Sequence, residues 1–272
     1  MLFLKGLLMG FSDIIPGVSG GTMALVLGVY ERLMKALGNI NLRFVIYLLY
    51  YLRTKKKRYL RDAKKAFLDM DPYFLLLLGS GIFAAIVAGS FFIPMLMERF
   101  PSLMYAFFSG LIIGSIITIS YKRKCSVNSF AAGVLGFAAG FFVTSLEWLI
   151  SSHNLGIIFL SGFLAVCAML LPGVSGSFVL LMLGQYDFML TALHEIRFPV
   201  VLMFIAGGIL ALVSMSRVIS YFLRRFHEQT LFFLVGLMAG SVRLLMSNID
   251  ISPGVFVIGG VGLLLVIVLN RL

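Results

Sequence analysis

Two short stretches of this chain have residue types and spacing suited to holding an anion. Pro16–Tyr30 reads PGVSGGTMALVLGVY and Pro172–Tyr186 reads PGVSGSFVLLMLGQY, with nine of the fifteen positions identical at an offset of 156. Each couples a helix-breaking Pro-Gly to Ser and Gly residues that favour the start of a new helix. The first N–H groups of such a helix have no partner and lie at the positive end of its dipole, which suits a phosphate or a carboxylate. The candidate binding residues are Asp13, Gly17, Ser19, Gly20, Gly21 and Thr22 in the first stretch. In the second they are Gly173, Ser175, Gly176 and Ser177. Ser19 or Thr22 would cap the helix that follows. Asp13 has Met169 as its counterpart, so it either takes a coupling proton or cation or caps the backbone. Close packing of small residues competes as an explanation. It accounts for the scattered Gly133, Gly136, Gly140, Gly259, Gly260 and Gly262, but not for a proline and five consecutive identities.

The elements that must position these stretches are membrane helices. Of 272 residues, 61% are apolar and 12% are charged, and the mean hydropathy is +1.06. A chain this size has too much surface to bury such an excess from water, which excludes a soluble enzyme and a disordered protein. Six apolar runs are long enough for a core of about 30 Å, near 72–97, 100–120, 128–150, 199–222, 229–248 and 253–270. Two more, 1–37 and 155–194, are interrupted by the Pro-Gly stretches, giving broken, re-entrant hairpins.

The net charge of +11 is unevenly placed. Residues 41–71 carry nine Lys and Arg against Asp62, Asp69 and Asp71, the mark of a cytoplasmic loop. The apolar run Leu42–Leu52 beside it suits an interfacial helix on anionic headgroups, and nucleic acid is not implied. With that loop inside and both hairpins re-entrant, 18 of the 22 basic residues are cytoplasmic, as are both termini. One Lys before the first apolar run and no small-residue cleavage site argue against a removable signal peptide. Cys125 and Cys167 are too far apart for a ligand pair, and no metal site or cofactor is expected.

A second internal match pairs Ser109–Ser115 (SGLIIGS) with Val235–Ser241 (VGLMAGS), now at an offset of 126, the difference being about the length of the basic stretch. The expected fold is therefore an all-α integral membrane protein with an inverted two-fold repeat. Each copy is a re-entrant broken hairpin plus three transmembrane helices, and an odd number of crossings inverts the second copy. Repeat 1 occupies 1–127: hairpin 1–37, basic insertion 38–71, and spans 72–97 and 100–120, completed by span 128–150. Residues 128–272 hold that span and repeat 2, with hairpin 155–194 and spans 199–222, 229–248 and 253–270.

Ionisable groups inside a bilayer are functional candidates. Arg217 and Arg243 lie about one turn inside opposite ends of their spans, and either snorkel or receive a phosphate. Glu147 is an interfacial residue or a second coupling candidate beside Asp13. Gly17–Gly21 also fits G-x-S-x-G, but the second copy breaks it at Ser177 and no base stands near, so no catalytic residue is expected.

Gly10-Phe-Ser-Asp13-Ile-Ile-Pro16-Gly-Val-Ser-Gly-Gly21-Thr22, followed by Leu27-Gly28-Val29-Tyr30-Glu31-Arg32, closely resembles the opening motif of the polyprenyl-phosphate transporter family (PopT). Leu171–Gly176, Ser216-Arg217 and Gly240–Arg243 are similar to that family too. The resemblance implies a non-enzymatic flippase that returns undecaprenyl phosphate, the lipid carrier of cell-wall precursors, across the bacterial plasma membrane. It leaves open a coupling ion (H⁺ or Na⁺) and a homo-oligomer. Two rivals compete with this expectation. A polyprenyl-diphosphate phosphatase would continue Pro-Gly-x-Ser with Arg-Ser and add clustered glutamates, neither of which occurs here. An ion-coupled small-anion transporter would need a closed vestibule rather than openings to lipid.

Overall fold

The computed structural model describes residues 1–15, 18–41, 43–121, 123–145, 152–250 and 252–269. Among them every regular element is an α-helix. The chain begins with α1 (Leu2–Ile14), α2 (Gly20–Val26) and α3 (Tyr30–Gly38), then α4 (Arg43–Thr54) and α5 (Lys57–Leu68). Three longer helices follow: α6 (Pro72–Arg99), α7 (Pro101–Tyr121) and α8 (Val127–Val143). The same order then recurs as α9 (Leu155–Leu170), α10 (Gly176–Met182), α11 (Tyr186–His194), α12 (Phe198–Arg225), α13 (His227–Met246) and α14 (Pro253–Leu269). Helices α2 and α10 have seven residues each, α3 and α11 nine, α6 and α12 twenty-eight, and α8 and α14 seventeen.

The breaks match at the level of single dihedrals, for reasons the residues supply. Ile15 and Leu171 each precede a proline, whose ring disfavours helical geometry in the residue before it. Both are extended, at φ −86°, ψ 122° and φ −88°, ψ 126°. Further on, Gly28 and Gly184 take left-handed φ of +67° and +64°. They end α2 and α10 in the same way: Val29 N–H donates to Ala24 O and Gln185 N–H to Leu180 O, both at 2.9 Å. That six-to-one bond defines a Schellman cap, where glycine avoids the Cβ penalty of a positive φ. Helices α10 and α11 meet at a bend of 107°.

Helix α1 packs on α6 as α9 packs on α12, and α7 packs on α14 as α13 packs on α8. Glycines set these crossings. A Cβ on Gly6 or Gly81 would strike a carbonyl across the α1–α6 contact (Leu78 O and Phe3 O). One on Gly162 or Gly207 would do the same across α9–α12 (Phe204 O and Phe159 O). Gly136, Gly140 and Gly262 are equally tight, whereas Gly260 faces open space and has no packing reason. Large apolar side chains point outward, Phe91 at 75% and Leu76 at 72% exposure among them, which suits a lipid surround. The centre is formed where the broken helices meet the long ones, around Ile15, Tyr30, Met34, Phe74, Leu234 and Met238.

Among the described residues four helical segments are long and apolar enough to cross a membrane: α6 within the run Lys57–Arg99, then α7, α12 and α13. The bent pair α10–α11 would make five. Two of the six predicted spans are represented by shorter helices. Helices α8 and α14 have only 17 residues, about 25 Å at 1.5 Å per residue, against a core of about 30 Å. The outer part of the predicted 128–150 span, from residue 146, lies outside the described residues.

The basic stretch is not an open loop. Helices α4 and α5 pack against each other as a hairpin. Tyr50 and Tyr59 stack across it with centroids 5.5 Å apart, while Leu49 and Leu52 remain exposed. Arg32 of α3 ties the hairpin down through Asp71 (Nε–Oδ2 2.6 Å), and Asn39 donates to Asp69 O at 2.8 Å. The guanidinium holds the Asp71 carboxyl below the usual carboxylate range.

Candidate functional site

The two Pro-Gly-Val-Ser-Gly stretches are brought into direct contact. Ser19, the N-cap of α2, accepts from Gly21 N–H (3.1 Å) and donates to Met169 O (3.2 Å) at the end of α9. Thr22 accepts from Gly173 N–H at 2.8 Å, and Tyr30 O–H donates to Leu170 O at 2.9 Å. All these side chains are buried. The carbonyls of Met169 and Leu170 at the end of α9, and the N–H of Gly173 in the break after it, are thus satisfied by side chains of the first stretch. That is what an interior break requires if it is not to leave bare polar groups. Gly173 sits at φ +90°, and a Cβ there would approach Ser241 Oγ of α13 to 2.7 Å.

The donors at the start of α2 are occupied from within. Gly20 N–H donates to Asp13 Oδ1 at 2.7 Å, so a carboxylate already sits where the sequence places an anion. In this arrangement Asp13 caps the backbone at the start of α2. In the second stretch Ser175 is the N-cap residue of α10 but makes no capping bond; its hydroxyl pairs with that of Ser177 at 2.8 Å. Gly176 packs close to Ala165 O, where a Cβ would come to 2.6 Å. Gly17 and Glu147 lie outside the described residues.

Arg217 and Arg243 are not at the tips. Arg217 donates from Nε to Gly38 O (2.9 Å) and from Nη2 to Ile40 O (2.8 Å), capping the negative end of α3. A polar cavity of about 400 Å³, lined by Asn39, Asn41 and Arg43, opens beside it. Arg243 lies 4.4 Å over the Phe141 ring and donates to Ser145 Oγ at 2.9 Å.

Several residues escaped the sequence reading. Tyr30 belongs to the repeat and to the opening motif, but nothing local marks its partner 140 positions away. Lys5 donates to Leu27 O at 2.7 Å and so caps the end of α2. Around the facing ends of α3, α7 and α13 runs a polar chain. Glu31 Oε1 lies 2.9 Å from His227 Nε2, and Arg123 Nη1 contacts both His227 Nδ1 (3.1 Å) and Glu228 Oε1 (2.8 Å). Two apolar cavities of about 390 and 370 Å³ flank the second break and share Leu171 and Phe233 in their walls.

Long apolar helices with exposed apolar faces, packed around two interlocked breaks, define a class: an integral, multi-pass helical membrane protein. Comparison with known proteins narrows this. The chain belongs to the undecaprenyl phosphate translocase-like family, whose profile matches residues 9–252. It is 36% identical over 244 residues to the polyprenyl-phosphate transporter of Vibrio cholerae serotype O1 (strain ATCC 39315 / El Tor Inaba N16961), covering 88% of this chain and 75% of that one. It is 29% identical over 258 residues to the polyprenyl-phosphate transporter of Staphylococcus aureus (strain NCTC 8325 / PS 47), covering 88% and 83%. No solved structure matches. These relatives are transporters by name, which sets the chain among transporters rather than enzymes.

Proposed function

We propose that this protein translocates undecaprenyl (polyprenyl) phosphate across the bacterial cytoplasmic membrane, recycling the lipid carrier of envelope synthesis. The observation that carries the proposal is the docking of the two broken helices on each other, through Ser19, Thr22 and Tyr30 against residues 169–173. The transporter relatives supply the substrate class.

The architecture in this reading is an inverted repeat with two re-entrant hairpins, 1–37 and 155–194. Equal helix lengths, matched break dihedrals and recurring packing pairs support it. The basic face carrying α4 and α5 lies on anionic lipid in the cytoplasm, with both termini on that side. The phosphate binds between the Pro-Gly-Val-Ser-Gly tips by an alternating-access cycle. It takes the N–H donors that Asp13 and Thr22 hold while the tips are together, and the polyprenyl tail stays among apolar walls such as those at Leu171 and Phe233. Arg217 and Arg243 serve the phosphate toward opposite leaflets, and Asp13 or Glu147 carries any coupling ion.

The test is reconstitution in liposomes holding undecaprenyl phosphate, with a phosphate-binding probe confined to one leaflet. Faster exchange of headgroups between leaflets is expected relative to protein-free vesicles. Unaccelerated exchange refutes the proposal, and release of phosphate from the diphosphate would replace it with a phosphatase.

A further inference from the structure

Helix α2 has the Ser19 tip at one end and a second polar feature at the other. Its last turn, at Leu25 and Val26, and Gly28 just past it form one wall of a cavity of about 630 Å³; Thr118 of α7, Arg123 and Lys124 just beyond that helix, and Glu228 at the start of α13 line the rest. Seven helical residues separate the two features, about 10 Å at 1.5 Å per residue. Gly28 leaves the wall open, since a Cβ there would meet nothing within 4 Å.

The charges here are incompletely matched. Arg123 meets Glu228 through one nitrogen and one oxygen only (Nη1–Oε1, 2.8 Å). The other carboxylate oxygen, Glu228 Oε2, is buried with no hydrogen-bond partner among the described residues. A guanidinium and a carboxylate reach full strength in a two-pronged pairing, and a buried oxygen without a donor is costly. His227 turns Nδ1 to Arg123 and Nε2 to Glu31, which fits the neutral ring, with the proton on Nε2. Among the described residues the cavity is lined by two cations, Arg123 and Lys124, and one carboxylate, Glu228, while Lys5 donates to Leu27 O at the end of α2.

We infer that this cavity is a phosphate-monoester site in which Glu228 holds the ligand's place on Arg123. The phosphate displaces the one-pronged carboxylate and takes the guanidinium by two oxygens, and Lys124 supplies a second cation. On the translocation reading above, on which this role depends, the site receives the lipid headgroup one short helix away from the tips.

A structural ion pair and a displaceable one differ in sign. If the pair only stabilises the fold, losing either partner harms the protein in the same direction. If Glu228 competes with the ligand, removing its charge must tighten binding while removing Arg123 must weaken it. The experiment measures equilibrium binding of farnesyl phosphate and, separately, of inorganic phosphate to the full chain in nanodiscs of neutral lipid, with farnesol as the uncharged control. Glu228→Gln is expected to tighten farnesyl phosphate several-fold, and Arg123→Gln to weaken it by about tenfold or more, the scale of a lost charge-assisted pair. Arg123→Lys keeps the charge without the fork and should fall between; it carries the test if Arg123→Gln does not fold. The same ranking with inorganic phosphate assigns the site to free phosphate as well as to lipid. Weaker or unchanged binding in Glu228→Gln overturns the inference. Leaflet exchange by the unaltered protein is scored separately: its absence sinks translocation, whereas exchange with an indifferent Glu228→Gln sinks this site alone.

Discussion

Replacing Thr22 by Val removes one hydroxyl and keeps the branched shape of the side chain. Thr22 is 1% exposed, and its Oγ1 is the acceptor for Gly173 N–H at 2.8 Å. In the variant that N–H is left buried and unpaired, at a cost of about 1–3 kcal/mol. The cost corresponds to a change of about 5- to 140-fold in the unfolding equilibrium, at 1.4 kcal/mol per factor of ten. Tyr30→Phe strips the donor from Leu170 O in the same interface, with a cost of the same order. If the two bonds act on one rigid contact, the double variant loses about the sum, roughly 2–6 kcal/mol; if breaking one lets the tips part, it loses less. Thr118→Val is the internal control, because Thr118 donates only to Gly114 O of its own helix. Equilibrium unfolding in mixed micelles reads all four proteins. A Thr22→Val protein as stable as the Thr118→Val control would refute the docking of the two tips.

Gly28→Ala and Gly184→Ala should each destabilise by about 1–2 kcal/mol, the cost of a left-handed residue with a Cβ, and Asn at either position should cost less; thermal melts in detergent read this. A leucine at Gly136 must push against Phe233 O, so Gly136→Leu should cost more than about 3 kcal/mol by overpacking and lose monodispersity on size exclusion. Gly260→Leu, facing open space, should behave as the unaltered protein. Arg217→Ala removes the cap on Gly38 O and Ile40 O and Arg243→Ala the contacts to Phe141 and Ser145. Both are expected to slow headgroup exchange in liposomes while inserting normally, and unchanged exchange in both would return them to structural roles.

The duplicated Pro-Gly-Val-Ser-Gly was legible because a proline fixes an extended residue before it and a glycine ends a short helix, and both effects are local. Gly28 and Gly184 show the same: a repeated glycine at one offset marked a repeated left-handed turn. Helix ends in apolar sequence were harder to place. The run after Val127 continues apolar past the point where α8 stops, because in lipid hydrophobicity gives no signal for a terminus. Helix α5 went unseen for the opposite reason. Its charge hid a stripe at Tyr59, Ala63, Ala66 and Met70, whose spacing of four, three and four residues could have revealed it.

The partners of the site were mostly beyond local reasoning. Asp13 lies seven residues from the N–H it caps, and its carboxylate occupies a position that dipole arguments alone would leave for a ligand. Arg217 was placed near a helix end by counting, but the carbonyls it holds are 177 and 179 residues away. The chain from Glu31 through His227 and Arg123 to Glu228 joins three helices distant in sequence, and only their packing brings it together.

If the phosphate passes between the two tips, the tips must separate in every cycle. The most direct measurement places cysteines at Ser19 and Met169 in a chain lacking Cys125 and Cys167. A short thiol-to-thiol reagent then joins the pair, and leaflet exchange of undecaprenyl phosphate is followed in liposomes. Exchange should stop on cross-linking and return when a cleavable reagent is reduced. Exchange that continues at the same rate with the tips joined would contradict the account.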